Sequence, residues 1–259
     1  MSAAMANVLG QQQARALADF RNTLPTPPPL HNKRQHHWVP LATLEAVADA
    51  CLAEGRAPYI ANAGVQHPGA QRATQFQKGV ILKLLVRVPL RQRNVRELRL
   101  RDHLYKDQEG SWRLSLRGRD LKIGTRQGRV NEYKLNLTEF FPDFIPVLEE
   151  FLDVYRPRLP GAAASTFCFL TQYGRPFSVK SLGQELSMAV HMRTGTRWFP
   201  HMIRTTWATE CLEKTQDFQT AATMLGDTLE VVMKTYYDVV NKDQHAKAAA
   251  FLSTALHTG

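Results

Sequence analysis

Residues 112–137 read WRLSLRGRDLKIGTRQGRVNEYKLNL, and here the apolar period of the chain drops to two. Trp112, Leu114 and Leu116 alternate with polar side chains, Val130, Tyr133, Leu135 and Leu137 do so less strictly, and Gly118, Gly124 and Gly128 lie between the two runs. Alternation sends successive side chains to opposite faces of a strand, and glycines between two such runs mark turns. The stretch therefore predicts a small antiparallel sheet of two or three strands.

On both sides of it the spacing is helical. Upstream, Leu41, Leu44, Val47, Ala48, Cys51 and Leu52 recur every three or four residues and stop near Gly55, and a second helix over about 70–87 ends before Pro89. Downstream, Phe144, Val147, Leu148, Phe151 and Leu152 restart the pattern, which continues in several segments to Leu256. The fold class expected is mainly α with a small antiparallel β-sheet, and no internal repeat is visible. At the other end, LPTPPPL at 24–30 cannot continue a helix and reads as a stiff connector after a helix over 11–23. Residues 1–39 are thus expected to be an N-terminal appendage and linker, and 40–259 the main domain.

Charge narrows the function. The 259 residues carry 33 Lys plus Arg against 23 Asp plus Glu, a net charge of +10. Residues 81–135 hold 15 basic and 6 acidic side chains, so +9 of the excess falls within the hairpin and its approach. Such concentration favours a polyanion, because phosphate contacts release counterions and steer association. Ordinary solvated surface is the alternative. With 44% apolar and 22% charged residues the chain is neither wholly disordered nor a coiled coil. No run approaches the ~20 apolar residues that span a bilayer, so no membrane is expected and a cytoplasmic location, with the nucleoid if bacterial, is. Cys51, Cys168 and Cys211 are far apart, without metal-ligand spacing, and suggest a reducing compartment. His31, His36 and His37 in HNKRQHHW lack a supporting carboxylate or cysteine cluster and read better as a basic arm than as a metal site.

Four separated segments then need one explanation: PLRQRNVREL (89–98), LKIGTRQGR (121–129), PHMIRTTWATECL (200–212) and MLGDTLEVVMKTYYDVV (224–240). His201 and Arg204, at i and i+3 behind Pro200, share one side of a helix start, where anions are favoured. In their order the four resemble the catalytic domain of the tyrosine recombinase, or phage integrase, family from about residue 40 onward. The resemblance implies a first arginine at Arg91, a hairpin lysine at Lys122, a His-x-x-Arg pair at His201 and Arg204, a turn residue at Asp227, and a nucleophile at Tyr236, chosen over Tyr237 by its spacing from Leu-Gly-Asp. Two positions depart from the family: Asn94 stands for the usual glutamate and Asp227 for the usual histidine or tryptophan.

The residue types suit the chemistry implied. A phenol oxygen attacking a DNA phosphodiester builds charge on two non-bridging oxygens, which the planar forks of Arg91 and Arg204 hold with His201 as a third donor. Donors of this kind are worth about 3–4 kcal/mol each at comparable oxyanion sites. Lys122 is expected to protonate the departing 5′ oxygen. The 3′-phosphotyrosine that results keeps the energy of the broken bond, so rejoining needs no cofactor and no metal. Asp227, a carboxylate, would repel a phosphate it touched, so it is expected behind the arginines, orienting them. Arg93, Arg117, Arg119 and Arg126 are expected DNA contacts.

The function implied is that of a site-specific DNA recombinase acting on double-stranded DNA, as a homo-oligomer with four protomers on two duplexes. In that family the segment after the tyrosine docks on a neighbour, a role open to residues 244–256; an intramolecular cap is the alternative. Forty residues are too few for an N-terminal DNA-clamping domain, which suggests a catalytic fragment. Two other readings stay open: type IB topoisomerase-like relaxation of DNA, and a DNA-binding accessory protein with a degenerate site.

Overall fold

Leu44, Val47, Ala48, Cys51 and Leu52 are each at most 3% exposed, and their spacing commits one face of helix α1, Leu41–Arg56, to the core. A computed structural model describes residues 37–57, 68–117 and 132–241 of the chain. The expected helix over 11–23, the proline connector, His31, His36, the hairpin glycines and the tail 244–256 lie outside these residues. From Trp38 onward the described residues belong to one unit.

Helix α2, Pro68–Arg87, lies along α1, and a side chain at Gly79 would meet the Ala48 carbonyl at 2.7 Å. Glycine there lets the two backbones approach closely. Glu45 of α1 accepts hydrogen bonds from Lys83 and Arg87 of α2, and Arg87 also pairs with Asp143. The first backbone N–H of α1 donates to Glu210, far along the chain, at 2.9 Å.

After the short helix α3, Gln92–Arg96, come strands β1, Leu104–Lys106, β2, Trp112–Leu116, and β3, Tyr133–Asn136, in one antiparallel sheet of order β1-β2-β3. The register pairs Leu104 with Leu114 and Leu116 with Tyr133. Leu104, Leu114 and Leu116 are buried, so the sheet turns one face to the same core as α1 and α2. Of the three strands, β1 has no alternating run of its own; three residues are too short to show a period.

Asn136 caps helix α4, Leu137–Phe140, by accepting from the Glu139 N–H. Helix α5, Ile145–Glu150, continues through a wider turn at Phe151–Tyr155 and a tight one at Arg156–Arg158. Tyr155 stacks on Phe76 of α2 with ring centroids 3.9 Å apart. Helix α6, Val179–Thr194, opens on a Ser178–Ser181 capping box, and the Gln92 amide donates to its Val179 carbonyl at 2.6 Å. Three helices close the described chain: α7, Met202–Thr215, α8, Phe218–Leu225, and α9, Leu229–Asn241. They share a second apolar cluster of Ala208, Leu212, Ala221, Ala222, Leu225, Val232 and Tyr236, distinct from the main core.

Candidate active site

Helix α2 ends at Arg87, and a turn with Val88 and Leu90 buried carries the chain into Arg91, the residue before α3. Arg91 is extended there (ψ 145°) and a quarter exposed, so its side chain projects from the end of α2. Arg204 occupies the first turn of α7, whose opening residue His201 is exposed and stacks on Phe199 at 5.9 Å between ring centroids.

Asp227 joins the two arginines. Helix α8 ends on Gly226 in the left-handed region (φ 57°), which a side chain would disfavour, and the Asp227 N–H reaches back to the Ala222 carbonyl at 3.1 Å. This turn presents the Asp227 carboxylate to both guanidinium groups. One oxygen accepts from Nη2 of Arg91 at 2.5 Å, the other from Nη2 of Arg204 at 2.5 Å. Arg204 also donates from Nη1 to the Pro89 carbonyl at 2.6 Å and from Nη2 to the Leu225 carbonyl at 2.9 Å. The Leu225 carbonyl is one of those a helix end leaves without an intrahelical partner, and the arginine satisfies it.

An arginine has five N–H groups. Among the described residues Arg204 uses three of them, in its bonds to Pro89, Leu225 and Asp227, so two remain. Arg91 uses one, on Asp227. Two cations and one anion leave the triad at +1, and with side-chain exposures of 25%, 14% and 13% for Arg91, Arg204 and Asp227 it is largely withdrawn from water. Burial, with help from the like charge of Arg91, pulls the Arg204 guanidinium below an ordinary arginine, against the opposing pull of Asp227 and Tyr236. The arrangement suits a singly charged anion that takes N–H groups the two arginines leave unused.

Tyr236, on α9, is 8% exposed and lies within electrostatic reach of Arg204. Asn94, at the position of the family's glutamate, is buried on α3. Arg93 pairs with Glu97 at 2.9 Å on an exposed surface, and Arg117 is exposed where β2 ends. Lys122, Arg119 and Arg126 lie outside the described residues, as does the side chain of Tyr237. Among the described residues no group of three or more His, Cys, Asp and Glu side chains is placed to hold a metal ion, and no helix is long and apolar enough to cross a membrane.

Sequence reasoning missed two parts of this geometry. The Pro89 and Leu225 carbonyls are invisible to side-chain motifs, although each sits in a segment quoted for its motif. The second is Tyr133, whose ring packs against the main core while Arg204 acts electrostatically on its hydroxyl. Its only sequence signal was an aromatic at the mouth of the basic hairpin.

Comparison with known proteins bears on the arrangement. No curated protein sequence matches significantly. Two solved structures are similar over most of the chain. XerH site-specific recombinase bound to palindromic difH substrate, in a post-cleavage complex, is 14% identical with a TM-score of 0.53, over 82% of this chain and 52% of that one. XerH bound to difH substrate in a pre-cleavage complex is 15% identical with a TM-score of 0.52, over 81% and 51%. The chain therefore spans about half the length of these proteins. At such identities the likeness is one of fold, and the shared fold is the mainly α catalytic architecture of tyrosine recombinases with its small antiparallel sheet. The family model for the phage integrase family matches residues 69–243, a span that takes in both arginines, the aspartate between them and Tyr236; the chain belongs to the phage integrase family.

Proposed function

We propose that this chain is a site-specific recombinase that cuts and rejoins double-stranded DNA through a 3′-phosphotyrosine at Tyr236. The observation that carries the reading is the Arg91–Asp227–Arg204 triad beside Tyr236. Its net +1 attracts a phosphodiester, and its unused N–H groups are donors fixed before the substrate arrives. Their position then costs no reorganisation as charge builds on the non-bridging oxygens.

Attack by the Tyr236 oxygen forms an O–P bond and breaks the bond from phosphorus to the 5′ oxygen. Lys122 gives that oxygen its proton, the phenolic proton passes to water, and His201 donates to the phosphate beside the arginines. Asp227 touches the arginines, not the phosphate: each of its oxygens is taken by one guanidinium, which fixes their separation. Arg93, Arg117, Arg119 and Arg126 contact the DNA backbone. Residues 40–259 form the breaking-rejoining domain and 1–39 an appendage. Strand exchange proceeds with four protomers on two duplexes, residues 244–256 docking on a neighbour, in the compartment that holds the DNA.

A nicked suicide substrate, which loses its 5′ strand after cleavage, tests the reading. Wild-type protein is expected to form a covalent adduct resistant to denaturation, and Tyr236→Phe, which keeps the ring in its apolar cluster, is expected to form none while binding DNA as before. An adduct that survives Tyr236→Phe but not Tyr237→Phe moves the nucleophile by one residue. No adduct under conditions where the protein binds DNA overturns the reading.

A further inference from the structure

Helix α7, which carries Arg204, is entered through the segment Trp198, Phe199, Pro200, His201, along which burial gives way to exposure. Trp198 is fully enclosed and Pro200 is buried, so the segment is pinned at two points, and the proline fixes the backbone φ between Phe199 and His201. The Met202 N–H donates to the Phe199 carbonyl at 2.8 Å and the Ile203 N–H to the Pro200 carbonyl at 3.3 Å, which leads the chain directly into the first turn of α7. His201 emerges there, exposed.

Phe199 is half-buried and packs against the main core. Its ring lies nearly parallel to the imidazole of His201, with 16° between the planes and 5.9 Å between the centroids. Near-parallel planes at that separation form an offset stack, a geometry that flat rings prefer. The Arg197 guanidinium lies over the same phenyl ring, 5.6 Å from its centroid, and adds a cation–π contact to the hold of the core. The exposed imidazole therefore leans on a ring whose own plane is fixed by its neighbours.

This support matters because of how histidine donates. Both nitrogens of an imidazole point in the ring plane, so the plane decides where a hydrogen bond can go. The torsion that sets the plane has broad wells, and an exposed histidine without a flat neighbour sweeps a wide arc.

We propose that Phe199 is a positioning residue for His201: its ring holds the imidazole plane in the orientation from which a ring N–H donates to a non-bridging oxygen of the scissile phosphate. The inference rests on the recombinase reading and adds to it a residue that acts only through His201. The two donors at the start of α7 are then both aimed before DNA arrives, Arg204 by the Pro89 and Leu225 carbonyls and Asp227, and His201 by the face of Phe199. Donors aimed in advance lose no rate to misplacement.

Single-turnover cleavage of the nicked suicide substrate tests this in a double-mutant cycle of Phe199→Leu and His201→Ala. Leucine keeps an apolar side chain on the core and removes the flat face. Phe199→Leu is expected to cleave about tenfold more slowly than wild type, no more slowly than His201→Ala, and with a DNA Kd within about twofold of wild type. In the His201→Ala background the same substitution should change the rate by less than about twofold, because no ring is left to orient. Phe199→Tyr, which keeps a flat ring, should recover most of the rate. Should Phe199→Leu melt below the assay temperature, Phe199→Met takes its place in the cycle. Nuclear Overhauser contacts between the ring protons of His201 and Phe199 in the unmutated protein check the stack itself, and their absence overturns the proposal. Equal cleavage by wild type and Phe199→Leu overturns it and leaves the recombinase reading standing. An equal loss in both backgrounds overturns it too, assigning Phe199 to the packing beneath α7, as does a Phe199→Tyr variant as slow as Phe199→Leu. Failure of the wild type itself to form an adduct removes the underlying reading, and the proposal with it, even where the ring contacts are seen.

Discussion

Nη1 of Arg204 donates to the Pro89 carbonyl at 2.6 Å across 115 residues of sequence, so the helix that carries one arginine of the pair is fastened to the turn that leads to the other. With Asp227 spanning both guanidinium groups, the arginines are held by a loop made of two backbone segments and one carboxylate.

Asp227→Asn is expected to slow cleavage about tenfold or more and to cost about 1–3 kcal/mol of stability, because one arginine loses its acceptor and two like charges face each other uncompensated. Thermal melting and the rate on the suicide substrate measure the two effects. Asp227→His restores a donor to the phosphate and should cleave faster than Asp227→Asn. An asparagine variant faster than wild type would show that the carboxylate was repelling the phosphate.

The role given to Lys122 separates from simple phosphate binding by the leaving group. Lys122→Ala should cleave normal DNA slowly and recover much of its rate on DNA with a 5′-bridging sulfur, since a thiolate departs without a proton. Equal defects on both substrates would take the acid role from Lys122.

DNA affinity should fall log-linearly with salt, as release of counterions by the +9 in residues 81–135 requires. Neutralising Arg117 and Arg119 together should reduce the slope by roughly one to two units. A filter-binding titration across salt concentrations reads this directly, and an unchanged slope would place the DNA face elsewhere.

Acid stability should report the α1–α2 contact. Burial opposes the charge on Glu45, but the bonds from Arg87 and Lys83 outweigh it and hold the carboxyl below its ordinary value of 4.5. A bond from Arg87 likewise lowers Asp143 below 3.8. A carboxylate lowered on folding stabilises the fold fully above its ordinary value and loses that contribution as pH falls through the folded value. The melting temperature should therefore drop as pH falls below about 4.5, and less steeply in Glu45→Gln. A slope unchanged by that substitution would remove Glu45 from the account.

The periodic parts of the fold were legible because one physical cause writes both pattern and burial. Leu44, Val47, Ala48, Cys51 and Leu52 repeat at helical spacing for the same reason that they are buried. Strand β1 escaped because Leu104–Lys106 completes little more than one period. The continuation of α5 through the wider turn at Phe151–Tyr155 left the run of apolar residues unbroken and so left no mark. Motif order singled out Arg91, His201, Arg204 and Tyr236, and Asp227 stood out by its departure from the family pattern. That Asp227 touches both arginines, across 136 and 23 residues, is a product of packing that no local pattern encodes. Tyr133 was read only as a step in an alternating strand, since a buried hydroxyl without a hydrogen-bond partner among the described residues is a property of the folded surroundings.

The second apolar cluster has a kinetic consequence for Tyr236. Tyr236 is held by α7, α8 and α9 through six other buried side chains, four of them alanine or valine, in a cluster apart from the larger core under α1 and α2. Opening free energy scales with the apolar surface that must be exposed, so α9 can release its tyrosine while the sheet and the first two helices stay closed. In native-state hydrogen exchange the amides of α8 and α9 should accordingly exchange sooner than those of α1 and α2, as a unit that unlatches ahead of global unfolding.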